Sequence, residues 1–274
     1  MMYLLKTLED SRRFEILEAF LSAFSHYFVP VDPSPETHLK RWQDSGVDLS
    51  LSYGAFADNK LQAVVLMVPQ GKEVFNLATG VIPTARGNGL TRMLFQHLIP
   101  ELRARGFETI SLEVMEQNAA AIKVYQQCGF TISRQLLSLK GEIKLLNDST
   151  AEDVIYQVKN YLPENYPREL NPYLPSFEQR GEILARRKKV LEIHQLKVGG
   201  EICADAVFHP QNMNLIQLTG KNSSYMNSLL RLMKLGGESI GIINVDESNR
   251  ELQTFLKSVG INVYLSQYEM KLSL

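Results

Sequence analysis

The sequence is poor in the residues that mark disulfide-bonded, zinc-binding and membrane-spanning proteins. Only two of its 274 residues are cysteines, Cys128 and Cys203, with no CxxC pair and no partner histidines. This argues against a disulfide framework and against any metal site, and it favours the reducing cytoplasm as the compartment. No apolar run reaches the roughly 20 residues that a membrane helix needs. The N-terminus turns to charged residues at once, which is not typical of a signal peptide.

An excess of charge of one sign is also missing. Lysine and arginine together number 29 against 30 acidic residues, so the formal net charge is −1. Without a basic footprint, we expect no nucleic-acid partner. Apolar residues make up 45% and charged residues 22%, which is typical of a globular protein. The length is comfortable for two domains.

Hydrophobic periodicity in the first half predicts alternating strands and helices. Apolar residues at helical spacing predict a helix over 10–28, capped by Asp10 or Ser11, and a second helix over about 36–45 holds the single tryptophan, Trp42. The further predicted elements are strands at 49–57, 61–68 and 74–82, a glycine-rich loop, a helix at 89–104, a strand at 109–115, a helix at 118–128 and a strand at 130–139. This order predicts a mixed α/β domain that closes near residue 142.

The second half repeats this order after a change in character. Residues 147–175 hold four prolines and little strand signal, which predicts a linker and the opening helix of a second unit. From Val190 the order strand–strand–strand–helix–strand–helix–strand recurs. An offset of 131 residues maps Asn118 onto Asn249 and Gly129 onto Gly260. We therefore predict two tandem domains, over residues 1–142 and 143–274.

One segment of the first half carries a chemical signal. Between Thr79 and Thr91 a strand leads into a loop with glycines at 80, 87 and 89, and the loop opens a helix. Such a loop points several backbone N–H groups in one direction, and the helix N-terminus adds positive potential, so together they favour a pyrophosphate. The third glycine of a dinucleotide fingerprint and the Gly-Lys-Ser/Thr of a P-loop are missing. By itself the segment predicts only an anion site.

The context of this loop resembles the GNAT acyltransferase superfamily, whose central motif reads Arg/Gln-x-x-Gly-x-Gly/Ala after a strand ending in Val-x-Pro. Here Val81-Ile82-Pro83 precedes Arg86-Gly87-Asn88-Gly89-Leu90-Thr91, and Thr91 departs from the usual glycine or alanine. The family's Asn-x-x-Ala-x-x-x-Tyr and its Gly-Phe are matched by the segment from Asn118 to Tyr125 and by Gly129-Phe130. The resemblance covers 79–130 in motif and about the first 140 residues in element order.

The resemblance implies the GNAT fold and transfer of an acetyl group from acetyl-CoA to an amine. The residues it implies for binding coenzyme A are Thr79, Gly80, Val81, Arg86, Gly87, Asn88, Gly89, Leu90, Thr91, Asn118 and Tyr125. The strand near Thr79–Val81 would splay from its neighbour and pair with the pantetheine arm. Tyr125 would donate a proton to the leaving thiolate; the alternative interpretation of Tyr125 is a core tyrosine on an amphipathic helix.

The general base and the acceptor site are less defined. The strand before the loop has no carboxylate, whereas Glu113 lies on the following strand, on the face opposite Leu112 and Val114. It could reach the cleft directly or through water, and a surface or ion-paired glutamate is the alternative. His26 and Tyr27 are candidate acceptor-side residues, with simple exposure as the alternative. The expected acceptor is the amine of a small molecule or of a peptide.

The second half lacks these features at the same offset. The loop Arg86–Thr91 maps onto Gln217–Asn222, without the arginine and the first glycine, and Tyr125 maps onto Leu256. We therefore expect a degenerate GNAT-like domain that binds no coenzyme A and is structural, or that forms a wall of the acceptor site through Tyr161–Phe177. Two alternatives for the whole protein stay open, a non-catalytic acyl-CoA sensor and a scaffold without a ligand. A monomer and a homodimer are both compatible with the sequence.

Overall fold

The chain folds into two compact units. The computed structural model describes residues 2–25, 27–29, 31–147, 154–159 and 173–274. The first unit comprises Met1–Ser133 together with Tyr268–Leu274, and the second comprises Arg134–Gln267. The first unit therefore takes its last segment from the far end of the chain. None of the helices in the described ranges is long and apolar enough to cross a membrane.

The first unit is a sheet with helices on both faces. Its elements are β1 (Leu4–Thr7), α1 (Arg13–Phe24), α2 (Pro35–Ser45), β2 (Asp48–Ala57), β3 (Lys60–Gln70), β4 (Glu73–Val81), α3 (Leu90–Ala104), β5 (Thr109–Met115) and α4 (Ala119–Gln127). Strands β1 to β5 lie in chain order, and all neighbours are antiparallel except β4 and β5. This pair is parallel because α3 crosses between its strands. Helices α1 and α2 pack on one face with Trp42, and α3 packs on the other.

The second unit has the same succession of strand pairings. Its elements are most of β6 (Thr131–Glu142), then β7 (Val154–Lys159), α5 (Gly181–Arg186), β8 (Glu192–Val198), β9 (Glu201–His209), β10 (Asn214–Gly220), α6 (Ser223–Leu232), β11 (Ser239–Asp246) and α7 (Arg250–Ser258). The pairs from β7 to β10 are antiparallel and β10 pairs with β11 in parallel. The element order predicted from Val190 onward is confirmed.

The strand β12 (Asn262–Ser273) brings the end of the chain into the first unit. Met270 is fully buried in the same apolar cluster as Leu94 and Leu112. The backbone N–H of Leu274 donates to the carbonyl of Glu108 at 2.8 Å. The C-terminal residues are therefore part of the first unit's core.

The internal repeat is visible in local geometry. Asn118 and Asn249 each cap a helix by accepting a hydrogen bond from the backbone N–H three residues later, at 3.2 and 3.1 Å. Gly129 and Gly260 end the same helices with φ of 96° and 91°, a conformation that favours glycine. Residues 131 positions apart therefore have the same local structure in this helix–turn–strand segment.

Helix α1 is shorter than its apolar spacing predicts. It spans Arg13–Phe24 rather than 10–28, and its N-cap is Arg12 without a side-chain hydrogen bond, so the predicted cap at Asp10 or Ser11 is wrong. The rings of Phe24, Tyr27 and Phe28 contact one another through the following turn. Because these aromatic residues continue the apolar spacing of the helix, the sequence pattern extends past the point where the helix ends.

Two edge strands are not predicted from the sequence. Strand β1 has alternating exposed and half-buried residues, and β7 lies within the stretch interpreted as a linker. Edge strands bury less of each face, so their hydrophobic pattern is weak. The predicted opening helix of the second unit falls largely on residues outside the described ranges.

Candidate active site

Strands β4 and β5 diverge in the middle of the first unit. Their parallel pairing begins at Glu73 with Thr109 and ends at Asn76 with Leu112, although both strands continue further. A bulge in β4 at Leu77 interrupts its register with β3, and a bulge bends and re-aims a strand. The backbone of Thr79–Val81 therefore borders a gap in the sheet. This is the splayed strand that the family resemblance implies.

The loop after β4 forms an open cradle of backbone. Gly87 and Gly89 have φ of 80° and 71°, and a Cβ on either would meet nothing within 4 Å. The amide of Asn88 donates to the carbonyl of Ala85 at 3.0 Å, which braces the loop. Helix α3 then starts at Leu90 without a side-chain cap. Uncapped N–H groups beside an open glycine backbone suit an anion.

The side chain of Arg86 fastens this loop to helix α1. One guanidinium nitrogen donates to the carbonyl of Ala23 at 2.9 Å, and Nε donates to the carbonyl of Val81 at 3.3 Å. Gly80 lies beneath the same contact, because a Cβ there would come within 2.7 Å of Ala23. Arg86 and Gly80 thus keep α1 close to the end of β4. Because both acceptors are backbone carbonyls of this chain, the side chain of Arg86 stabilises the position of the loop.

Tyr125 lies on α4 and faces the gap from the side of α3. Its ring is 7% exposed and makes edge contacts with Phe95 and Phe130, with ring centroids 5.8 and 5.7 Å apart. Burial raises the pKa of Tyr125 to about 12, while a hydrogen bond to the side chain of Thr79 opposes that rise. The phenol is therefore protonated at neutral pH and lies beside the splayed strand.

Tyr27 and Asn118 join the same region. Asn118 caps α4, and its side chain also hydrogen-bonds to the phenol of Tyr27. Burial raises the pKa of Tyr27, and that hydrogen bond opposes the rise. The fold thus brings Tyr27 from the turn after α1 to the N-terminus of α4. His26, the other acceptor-side candidate, lies outside the described residues.

Glu113 is the first residue of β5 beyond its last pairing with β4. Leu112 and Val114 lie in the apolar cluster that contains Tyr125. Because side chains alternate along a strand, Glu113 lies on the opposite face of the sheet from Tyr125. An acid and a base placed in this way would approach the gap from its two faces.

Two further hydrogen-bonded groups of the first unit are not predicted from the sequence. Asn76 is only 4% exposed and accepts a hydrogen bond from the hydroxyl of Thr79 at 2.7 Å. Tyr268 on β12 donates to Oε1 of Glu116 at 2.9 Å. A polar residue inside the apolar stretch 74–78 was the available signal for Asn76. Nothing in the local sequence links Tyr268 to Glu116, because only the fold brings them together.

Between β10 and α6, where its residues are all described, the second unit has no comparable loop. Strand β10 ends at Gly220 and α6 begins at Ser223, whereas Val81 and Leu90 are separated by a full loop. The alignment of Arg86–Thr91 with Gln217–Asn222 is therefore wrong, because most of the latter lies in β10. By strand pairing, Gly220 opposite Ala204 corresponds to Gly80 opposite Val64. The connection between β10 and α6 is therefore much shorter than the loop between β4 and α3.

The gap between β10 and β11 in the second unit is filled by its own chain. Their pairing ends at Leu215 with Ile242. Beyond it, the side-chain amide of Gln179 donates to the carbonyl of Ile243 at 3.0 Å, and that of Gln217 donates to the carbonyl of Gln179 at 2.8 Å. Residues 173–177 of the predicted acceptor wall belong to this unit, and 161–172 lie outside the described ranges.

Comparison with known proteins places the same residues in a family context. Residues 16–130 match the acetyltransferase (GNAT) family. A [ribosomal protein bS18]-alanine N-acetyltransferase of Salmonella typhimurium is 43% identical over 76 residues, which is 27% of this chain and 50% of the relative. A mycothiol acetyltransferase of Thermobispora bispora is 44% identical over 52 residues, 19% of this chain and 18% of that protein. The chain spans at most half the length of these curated relatives.

Solved structures match the whole chain in fold. A tandem GNAT protein from the clavulanic acid biosynthesis pathway has a TM-score of 0.68 at 12% identity and covers 99% of this chain and 98% of its own. A putative acetyltransferase from Pyrococcus horikoshii has a TM-score of 0.67 at 15% identity, covering 99% of this chain and 89% of its own. At these identities the likeness concerns the fold alone.

Proposed function

We propose, from the match of residues 16–130 to the acetyltransferase (GNAT) family, that this chain transfers an acetyl group from acetyl-CoA to an amine. The single observation that carries the proposal is the divergence of β4 and β5 after Asn76 and Leu112, directly beside an open glycine loop. The gap leaves strand backbone available for the pantetheine arm of acetyl-CoA, and the adjacent loop has backbone N–H groups available for its pyrophosphate.

The first unit has the groups to hold acetyl-CoA. Backbone N–H groups from Gly87 to Thr91 would bind the pyrophosphate at the N-terminus of α3. The free backbone of Thr79–Val81 would pair with the pantetheine arm, and Asn118 would contact the same arm. The open space over Gly87 and Gly89 fits this role, because a phosphate could approach the backbone closely there.

The chemistry assigned to the chain is direct transfer. Glu113 takes a proton from the amine, directly or through water, and Tyr125 gives a proton to the thiolate as the carbon–sulfur bond breaks. Backbone N–H groups at the end of β4 polarise the thioester carbonyl. Much of the rate gain comes from holding the amine and the thioester together.

The acceptor would enter from the face of α1 and α2. Glu113 lies on this face, and Tyr27 approaches from the turn after α1. The relative from Salmonella typhimurium is named for an alanine amine of a ribosomal protein, so a peptide with a free N-terminal amine is the acceptor class to test first, ahead of small amines.

We assign no cofactor site to the second unit. Its loop between β10 and α6 is absent, Gln179 fills the gap beside β10, and Leu256 takes the position of Tyr125. Its proposed role is structural.

The direct test is turnover. The full-length protein is incubated with acetyl-CoA and a panel of N-terminal peptides and small amines, while free thiol is measured. We expect thiol release that depends on the acceptor and an acetylated product by mass spectrometry. Tight binding of acetyl-CoA without thiol release for any acceptor would instead support a non-catalytic acyl-CoA sensor.

A further inference from the structure

A chain of hydrogen bonds leads from strand β4 to the phenol of Tyr125. The amide nitrogen of Asn76 donates to the carbonyls of Leu66 and Ala78 at 3.2 and 3.0 Å, which turns its Oδ1 towards Thr79. The hydroxyl of Thr79 donates to this Oδ1 at 2.7 Å. Thr79 is in turn hydrogen-bonded to Tyr125. The two ends of the chain are buried and Thr79 is half-buried, so water competes little for these groups.

The direction of each hydrogen bond follows from the number of hydrogens. A threonine hydroxyl has one hydrogen, and here it points at Asn76. The oxygen of Thr79 must therefore accept from the phenol of Tyr125. If the Thr79 hydrogen turned from Asn76 to Tyr125, the same contact would stabilise a phenolate, and a hydrogen bond to an ionised acceptor is stronger than a neutral one.

We propose that Thr79, anchored by Asn76, is a positioning residue for Tyr125. Its hydroxyl accepts from the phenol at rest and donates to the phenolate once the proton has left. The inference rests on the proposed function, because it concerns the acid of that reaction. It is separate from any pairing of the Thr79 backbone with a substrate.

The proton path is balanced at each atom. The amine nitrogen forms a bond to the acyl carbon and loses one proton to Glu113 or water. The carbon–sulfur bond breaks, and Tyr125 passes its phenol proton to the sulfur. The hydroxyl of Thr79 then rotates and donates its hydrogen to the phenolate. When Tyr125 has taken up a proton from solvent, the hydroxyl of Thr79 donates to Asn76 again.

The acidity of the phenol explains the need for such a partner. Burial raises the pKa of Tyr125 to about 12, whereas a free thiol has a pKa of about 8.5. The value of about 12 already includes the hydrogen bond to Thr79, which lowers the pKa, so without Thr79 the proton transfer to a thiolate would be still less favourable. Thr79 contacts the phenol oxygen and has the hydrogen that stabilises the phenolate.

The kinetic test is a double-mutant cycle with a conservative control. Thr79→Val removes the hydroxyl at nearly constant volume, and Thr79→Ser retains it. We expect Thr79→Val to lower kcat about tenfold, less than the roughly 10²–10⁴-fold of a complete acid–base effect because Tyr125 itself remains, with acetyl-CoA affinity and melting temperature nearly unchanged. Thr79→Ser should restore most of kcat. In a Tyr125→Phe background, Thr79→Val should cause no further loss, because the two residues act as a unit; an equal loss in both backgrounds would overturn the inference.

A spectroscopic arm tests the contact without turnover. Tyrosine isotope-labelled at Cζ gives a resonance for Tyr125, identified by its disappearance in Tyr125→Phe. We expect Thr79→Val to shift this resonance and Thr79→Ser to leave it in place. If wild-type protein acetylates no acceptor, the proposed function fails while this shift still reports the contact. If Thr79→Val changes neither the resonance nor kcat, the positioning role fails while the proposed function stands.

Discussion

The hydroxyl of Tyr268 donates a hydrogen bond to Oε1 of Glu116 at 2.9 Å, across 152 residues of sequence. Both belong to the first unit, and Met270 two positions later is fully buried in its core. The proposed catalytic unit is therefore incomplete until the far end of the chain has been added.

Changes in the last seven residues should therefore destabilise the first unit. We expect Met270→Ala to cost about 2–5 kcal/mol, as for other buried large-to-small changes, and a chain ending at Gln267 to lose acetyl-CoA binding. Tyr268→Phe is the matched control, because it removes one hydrogen bond and keeps the ring, at a cost of about 1 kcal/mol. Thermal melting and calorimetry measure both effects. A truncated chain with unchanged melting and binding would contradict this prediction.

The glycine loop should determine affinity for acetyl-CoA. Gly89→Ala places a Cβ in the open cradle at a φ of 71°, and we expect at least about tenfold weaker binding because the backbone approach is blocked. Gly106→Ala is the control, since that residue has a similar φ of 85° and open space away from the loop. It should lower stability by about 1–2 kcal/mol and leave affinity intact. Equal affinity losses in the two variants would argue against the loop as the binding site.

Tyr125→Phe should lower kcat by about a hundredfold, the scale of a lost general acid, with acetyl-CoA affinity largely retained. Tyr53→Phe is the control, because Tyr53 is a buried phenol in the same apolar cluster. The pH dependence follows from the raised pKa. A general acid must be protonated, and the pKa of Tyr125 is about 12. The kcat of the wild type should therefore show no alkaline fall attributable to Tyr125 at pH 9; such a fall in wild type that is missing in Tyr125→Phe would contradict this assignment.

Glu113→Gln should lower kcat/KM at neutral pH by about ten- to a hundredfold. The loss should shrink as the pH rises, because more of the amine is then already deprotonated. Glu108→Gln serves as the control. Glu108 immediately precedes the same strand and forms a surface ion pair with Lys72. Steady-state kinetics over a range of pH measure both variants, and a uniform loss at every pH would exclude Glu113 as the base.

Calorimetric titration of the full chain should give one acetyl-CoA per chain. Gly89→Ala should weaken all of the binding, because no second loop of this kind exists between β10 and α6. Gln179→Ala should leave the stoichiometry at one, since opening the gap in the second unit does not restore the missing loop. A second binding event in either variant would show that the second unit retains a site.

Much of the first unit follows from local signals. Strand β5 spans the predicted residues 109–115, and α2 and α4 lie within a residue or so of their predicted bounds. Their periodicity is strong because each packs one face against a core. The splay at Thr79–Val81 was also expected, but only from the family resemblance. Edge strands β1 and β7 are not predicted, because strands that bury few side chains have a weak hydrophobic pattern.

The sequence alone is enough to predict the resemblance to the GNAT superfamily, the glycine loop and the equivalence of Asn118 with Asn249. These features depend on local backbone requirements that particular residues meet. The folded chain was needed to show that Tyr268 and Met270 belong to the first unit, that Asn76 and Thr79 reach Tyr125, and that Gln179 lies in the gap of the second unit. Those contacts join residues distant in sequence or on different elements. They depend on strand pairing and bulges, which no short stretch of sequence specifies.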